Sequence, residues 1–173
     1  MTFDDSITQT TWPSPLGSII LAATGQGLAG LWFEGQRHFP GPSEGVHRWP
    51  HDPEHPVLRQ AIVQLGAYFA GRQTVFDLPL DLSGGTAFQR SVWSALRDIP
   101  RGGTVRYGDI SQRIGKPAAV RAVGAAIGRN PISIIVPCHR VIGASGALTG
   151  YAGGLDRKTA LLRLEGALVE ALS

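Results

Sequence analysis

With 173 residues, 43% of them hydrophobic, the chain can bury one or two small cores; it is too short for an α/β barrel and too apolar to be disordered. Its single cysteine, Cys138, excludes an internal disulfide and a thiolate-rich zinc site, and no apolar run reaches the ~20 residues of a membrane span, so a reduced, cytoplasmic protein without membrane attachment is expected. The net charge of +3 divides unevenly at Gly84-Gly85: residues 1–83 hold four Arg against eight acids, residues 84–173 twelve Arg plus Lys against five acids, and the basic half should meet a polyanion, nucleic acid first.

Asp4 and Asp5 stand where an export signal would carry Lys or Arg, so none is expected. Ile7 to Trp12, Gly17 to Thr24 and Leu28 to Glu34 are short β-rich runs separated by turn residues, and they predict an antiparallel meander. Residues 35–56, with five Pro, predict an irregular connection. From Pro56, the residues Leu58, Ala61, Ile62, Leu65 and Phe69 recur at helical spacing until Gly71. Thr74 to Leu82 alternates like a further strand.

Past Gly84-Gly85 the pattern turns helical. Thr86 and Gln89 form a capping-box signature for a run through Phe88, Val92, Ala95, Leu96 and Ile99, which Pro100 ends. A short helix over Gly108 to Ile114, the tight Gly115-Lys116-Pro117 connection and a helix from Pro117 to Gly128 read as a helix-turn-helix unit. Ile132 to Val136 predicts a short buried extended segment and Gly143 to Gly154 a glycine-rich loop. Asp156 to Ala171 predicts a closing helix with Leu161, Leu164 and Leu168 inward. The whole is an α+β chain, strands first and helices after.

On the helix from Pro117, Val120, Val123 and Ile127 fall on the core side, while Ala118, Ala122 and Ala125 fall opposite, flanked by Arg121 and Arg129. Alanines between arginines suit close approach to an anionic surface such as a minor groove ~6 Å wide; packing against another element is the alternative reading. Cys138, next to an Ile/Val run, reads either as a small buried hydrophobe or, with His139 beside it, as a nucleophile whose thiolate a base favours. Adjacent side chains of an extended chain point apart, so a Cys-His link needs a turn or a water there. Five acids of the basic half could orient the imidazole: Asp98, Asp109, Asp156, Glu165 and Glu170; spacing does not choose among them. His47, His51 and His55 recur every four residues, but Pro50 and Pro53 interrupt any helix that would align them on a metal.

Asn130-Pro131, Pro137-Cys138-His139-Arg140-Val141-Ile142, Ser145-Gly146, Gly150-Tyr151 and Gly153-Gly154 together resemble the signature of the methylated-DNA:protein-cysteine methyltransferases, the O6-alkylguanine-DNA alkyltransferases. The likeness extends over Thr104-Val105-Arg106-Tyr107 and Arg121-Ala122-Val123-Gly124. It implies a ribonuclease-H-like mixed-sheet structural domain over residues 1–83. Residues 84–173 would then form a mostly helical, winged-helix-like DNA-binding and alkyl-transfer domain with the helix-turn-helix. The implied activity is direct-reversal DNA repair by a monomer: irreversible, single-turnover transfer of a methyl or small alkyl group from O6 of guanine, and from O4 of thymine, to Cys138. The base would be flipped out of double-stranded DNA, with no metal or organic cofactor.

The resemblance also assigns roles. Cys138 is the acceptor, His139 its base through a water, Glu165 the acid that orients His139, and Tyr107 the proton donor to the departing guanine. Asn130 braces the turn leading to the cysteine. Arg121 fills the vacated stack, with Ala118, Ala122, Ala125 and Arg129 on the same DNA-facing surface. The carbonyls of Cys138 and Val141 read the guanine amino group, and Tyr151 and Ala152 close the pocket; some members carry a hydroxyl residue at the position of Ala152, so a side-chain hydrogen bond is lost here. A non-catalytic alkylated-base recognition protein is the alternative, although such relatives lack the cysteine. A Cys-His-Glu hydrolase, which would turn over repeatedly, is a third reading.

Overall fold

The computed structural model describes residues 1–40, 46–73 and 75–168, apart from the side chain of His47. Three antiparallel strands, β1 (Thr8–Ser14), β2 (Gly17–Thr24) and β3 (Gly27–Phe33), form the expected meander in the order β1-β2-β3. Parallel single-residue bridges extend it on both edges: His51 joins Gln9 of β1, while Leu80 and Ile132 join Leu28 and Leu31 of β3. Both sheet faces are buried. One packs Trp32, Ile7, Ile20 and Val46 against Phe3, Phe39 and Trp49; the other opens into the main core.

Helix α1 (Pro56–Phe69) lies on that inner face and buries Leu58, Ala61, Leu65 and Tyr68. His55, one of the three periodic histidines, caps it through Nδ1, which accepts the Val57 N–H at 3.2 Å. Helix α2 (Ala87–Leu96) opens on the expected capping box of Thr86 and Gln89. After β4 (Val105–Arg106) come α3 (Tyr107–Arg113) and α4 (Val120–Gly128), then a 3-10 turn at Cys138–Arg140, β5 (Val141–Ile142) and α5 (Leu155–Leu164). The β4–β5 pair is parallel and was not foreseen. The main core runs without a break from Leu21, Leu31 and Phe33 through Leu65 and Trp93 to Val123, Val136, Cys138 and Leu161.

Four expectations are corrected. Residues 75–82 are not a strand: Gln60 and Gln64 of α1 donate to the Asp77 carbonyl at 2.7 and 2.6 Å, Gln64 accepts the Asp77 N–H, and Pro79 has no N–H to give. Thr74 lies outside the described residues. Residues 132–136 are not extended but tightly turned, with Ile134 at φ 72. Helix α4 starts at Val120 because Pro117 and Ala118 sit in a turn closed by Ala119 N–H to Lys116 O, and Val120 is 40% exposed instead of core. Helix α5 stops at Leu164. Gly166, at φ 77, allows its N–H and that of Ala167 to reach the carbonyls of Arg163 and Leu162, a Schellman ending that makes Glu165 the C-cap. Leu168 therefore lies beyond the helix, and residues 169–171 of the expected span lie outside the described residues.

Candidate active site

The chain between α4 and α5 is shaped by a series of tight hydrogen bonds. Pro131 O accepts from Leu31 N–H and Ser133 N–H returns to Leu31 O, which anchors the segment on the edge of β3. Ile134, a β-branched residue at φ 72, follows, a conformation that costs on the order of 1–3 kcal/mol. Pro137 (φ −83, ψ 64) then centres an inverse γ-turn closed by Cys138 N–H to Val136 O at 2.8 Å. Asn130 holds this path from inside: Oδ1 accepts the Ile132 N–H at 3.0 Å, and Nδ2 donates to Val136 O at 2.8 Å and to Cys138 Sγ at 3.2 Å.

The 3-10 turn supplies the change of direction that adjacent residues need. Cys138 faces a cavity of about 210 Å3 and is 6% exposed. His139 points the other way, fully buried, with Nε2 at 2.9 Å from Glu165 Oε2. Glu165 is thus the acid, chosen from five, that meets the imidazole. Its carboxylate gathers three further hydrogen bonds: Oε1 accepts from Arg140 Nε at 2.8 Å, and Oε2 from Arg140 Nη2 at 2.9 Å and from Tyr68 O–H at 2.6 Å; Arg140 is itself fixed by its Nη1 bond to Ile99 O.

Electrostatics settles the protonation states. Burial works against a charge on Glu165, yet the hydrogen bonds from His139, Arg140 and Tyr68 hold its carboxyl far below the usual carboxylate range. An ionised carboxylate only accepts, so His139 Nε2 carries the hydrogen and Nδ1 keeps a free lone pair. That Nδ1 is buried with no hydrogen-bond partner among the described residues. Burial also lowers the His139 pKa, leaving the ring neutral, and raises that of the Cys138 thiol, against the opposing pull of the Asn130 N–H and the Lys158 charge.

The cavity draws on both halves of the chain. Tyr107, Cys138, Tyr151 and Ala152, which the family likeness groups around the base, line it together; Ala125, expected on the DNA-facing surface, lines it too, as do Arg37 and His38, which carry no signal in the sequence. Arg37 N–H donates to Ala152 O at 2.9 Å, tying the loop to the N-terminal half. Tyr107, first residue of α3, sends its hydroxyl to Thr149 O at 3.4 Å. The Val141 side chain is buried and its carbonyl accepts Lys158 Nζ at 2.6 Å. Ala118, Arg121, Ala122, Ala125 and Arg129 are all exposed, and of these only Ala125 also lines the cavity; Val123, Ala126 and Ile127 face inward.

Beyond Arg37 and His38, three more participants escape a reading of the sequence. Lys158, fully buried, donates to the carbonyls of Val141, Thr149 and Gly150, and burial pushes its pKa down to about 8. Its available signal was its place one turn before Leu161 and Leu162 on an apolar face. Arg140 stood inside the quoted motif without a role. Tyr68 continues the apolar face of α1, and nothing local reveals that its hydroxyl meets a residue 97 positions away.

Comparison with known proteins covers nearly the whole chain. Residues 7–82 match the 6-O-methylguanine DNA methyltransferase ribonuclease-like domain, and residues 87–167 match the DNA binding domain of the same family. The methylated-DNA-protein-cysteine methyltransferase of Mycolicibacterium paratuberculosis is 52% identical over 155 residues, 90% of each chain. That of the archaeon Methanosarcina acetivorans is 52% identical over 154 residues, 88% of this chain and 94% of its own. The Mycobacterium tuberculosis OGT crystallised in complex with DNA superposes with a TM-score of 0.82 at 51% identity, over 92% of this chain and 93% of that one. With two family regions matched in order and the fold shared at this identity, the chain belongs to the 6-O-methylguanine DNA methyltransferase family.

Proposed function

We propose that this protein repairs double-stranded DNA directly, taking a methyl or small alkyl group from O6 of guanine, and from O4 of thymine, onto Cys138 once per molecule. The observation that carries the reading is the set of groups gathered at Cys138: a buried thiol at a base-sized cavity, a neutral imidazole with a free Nδ1 in the adjacent residue, and an ionised Glu165 on its far nitrogen. In the reaction the Sγ proton passes through a water to Nδ1, and Glu165 stabilises the imidazolium that forms. Sulfur attacks the alkyl carbon, the carbon–O6 bond breaks, and the electron pair leaves with the guanine. Tyr107 gives that guanine a proton; its phenolate then regains one from solvent as His139 releases its own. The thioether has no route back by hydrolysis or thiol exchange.

The target atom is out of reach in a stacked pair, so the base is flipped. In this reading α3 and α4 act as a helix-turn-helix. The exposed face of Ala118, Ala122 and Ala125 enters the minor groove, Arg121 fills the vacated stack and Arg129 meets phosphate. Asn130 holds the turn, the Cys138 and Val141 carbonyls read the amino group, and Tyr151 with Ala152 closes the pocket. The working unit is a cytoplasmic monomer with a structural domain over residues 1–83 and the reactive one over residues 84–173. No helix of the described residues is long and apolar enough to cross a membrane.

Intact-protein mass spectrometry after mixing with an O6-methylguanine duplex tests this. The expected gain is about 14 Da, one net CH2, on the Cys138 peptide and none in Cys138→Ala. Lesion binding without mass gain would instead support a recognition protein, and repeated turnover a hydrolase.

A further inference from the structure

We infer that Tyr68, from the N-terminal half, is a positioning residue for alkyl transfer: by donating its hydroxyl to Glu165 it sets how strongly that carboxylate holds His139. The inference rests on the function proposed above and adds a residue and a half of the molecule to it. Tyr68 is fully buried on α1, and its O–H lies 2.6 Å from Glu165 Oε2. The same oxygen receives His139 Nε2 and Arg140 Nη2, both at 2.9 Å. Three donors on one oxygen compete for its electron density, and the Tyr68 contact is the shortest of them.

Packing alone does not call for a tyrosine here. The ring meets Phe69 and Phe76 at centroid distances of 5.3 and 5.4 Å, contacts that phenylalanine would make equally well. Its orientation is fixed from the far side by Arg101, whose guanidinium sits 5.3 Å from the ring centroid while its Nη2 donates to Leu164 O at 2.9 Å. Arg101 thereby holds both the donor ring and the backbone residue before the acceptor. Burial raises the pKa of the Tyr68 hydroxyl, so it stays a donor over the whole working pH range. The other charged or titratable groups facing Tyr68, Glu165 and His139 are Arg140 on the 3-10 turn, Arg101 before β4, Lys158 on α5 and Tyr151 in the loop before α5, none of which Tyr68→Phe replaces.

Without the hydroxyl, Oε2 turns more of its negative charge toward the imidazole N–H. The imidazolium is then better stabilised, His139 takes up its proton at higher pH, and the neutral base is lost earlier on acidification. Tyr68→Phe should therefore move the acidic limb of the single-turnover rate upward by about half a pH unit or more. In a Glu165→Gln background the same change should have no effect, since the carboxylate through which it acts is gone. Imidazole nitrogen NMR of wild type and Tyr68→Phe reads the His139 titration directly and needs no second substitution. An unmoved limb and an unmoved His139 resonance, with only a lower melting temperature, would reduce Tyr68 to packing. A downward shift, or a shift that persists without Glu165, would equally overturn the inference. Methyl uptake by the wild type is measured first: its absence refutes the proposed function, whereas uptake with an unshifted Tyr68→Phe profile refutes only the role of Tyr68.

Discussion

Replacing Asn130 separates what its side chain does for the backbone from what it does for the sulfur. In Asn130→Ala, Val136 O keeps its bond from Cys138 N–H, but Ile132 N–H loses Oδ1, its hydrogen-bond acceptor. One orphaned buried donor costs about 1–3 kcal/mol and one lost neutral hydrogen bond about 1 more, so urea denaturation should show a loss of roughly 2–4 kcal/mol. The sulfur loses its 3.2 Å donor as well. A hydrogen bond to a charged group is worth about 1.5–3 kcal/mol, which makes the thiolate harder to form and slows single-turnover methyl uptake roughly 10- to 100-fold. Asn130→Asp sharpens the test. It can keep the Ile132 bond yet puts a carboxylate beside the sulfur, where two unit charges ~3 Å apart repel by about 5 kcal/mol at an effective dielectric of ~20. The expected order of rates is wild type, then Ala, then Asp. An Ala variant within about 0.5 kcal/mol and twofold of wild type would refute the argument, as would an Asp variant faster than Ala.

Acid should unfold the protein through its buried site. His139 and Glu165 are both held below their ordinary values of 6.5 and 4.5, so the unfolded chain binds the extra protons; stability is full above about pH 6.5 and falls as acid carries first His139 and then Glu165 toward their folded-state values. Denaturant midpoints should drop between pH 7 and pH 4, and Glu165→Gln, about 3–5 kcal/mol less stable at pH 7 for leaving Arg140 unpaired, should lose the part of the slope below about pH 4.5. Midpoints that rise with acid would contradict this. Gly27→Ala places a Cβ 2.6 Å from Pro79 O at a φ of 150, and should lower stability by about 1–3 kcal/mol in thermal melts. Arg121→Ala and Arg129→Ala, both at exposed positions, should leave the melting temperature unchanged. Arg129→Ala should reduce the salt slope of duplex binding by about one, and Arg121→Ala should also slow uptake at saturating duplex. A full rate for Arg121→Ala under saturation would leave Arg121 with phosphate alone.

Local signals carried most of the fold. The meander follows from turn residues between β-rich runs, and α2 from a capping box that forms as written, because each is decided by residues within a few positions of one another. The misses share a cause. Residues 75–82 alternate like a strand, but the donors that claim the Asp77 backbone come from Gln60 and Gln64, more than ten positions earlier. Ile132 to Val136 is apolar enough for a strand, yet Asn130 folds it into turns from within. Val120 fits the apolar face of a helix that begins three residues later than Pro117 suggests. At the site, Cys138, His139 and Tyr151 are close in sequence and were found by motif. The choice of Glu165 required the family likeness, and Tyr68, Arg37, His38 and Lys158 required the tertiary structure. The acidic N-terminal half, which had no chemistry in the sequence, supplies a donor to the Glu165 carboxylate and part of the cavity wall.

A thiol raised by burial looks at first like a poor nucleophile, and for an enzyme that turned over it would be a costly choice. For an acceptor used once the balance differs. Oxidation and adventitious alkylation follow thiolate character and exposure, and Cys138 at rest is buried and protonated, with a neutral rather than cationic imidazole in the next residue, so it is protected on every count. The intrinsic nucleophilicity of a thiolate falls as its pKa falls, so a thiolate formed from a high-pKa thiol attacks better once it exists. What the site must provide is ionisation at the moment of reaction, and the parts for that are in place: a lone pair on Nδ1, a charged carboxylate on Nε2, an Asn130 donor on the sulfur and the Lys158 charge nearby. Each of these stabilises the charged pair more than the neutral one, so their effect is concentrated on the reacting state, where it accelerates transfer without leaving the sulfur exposed beforehand.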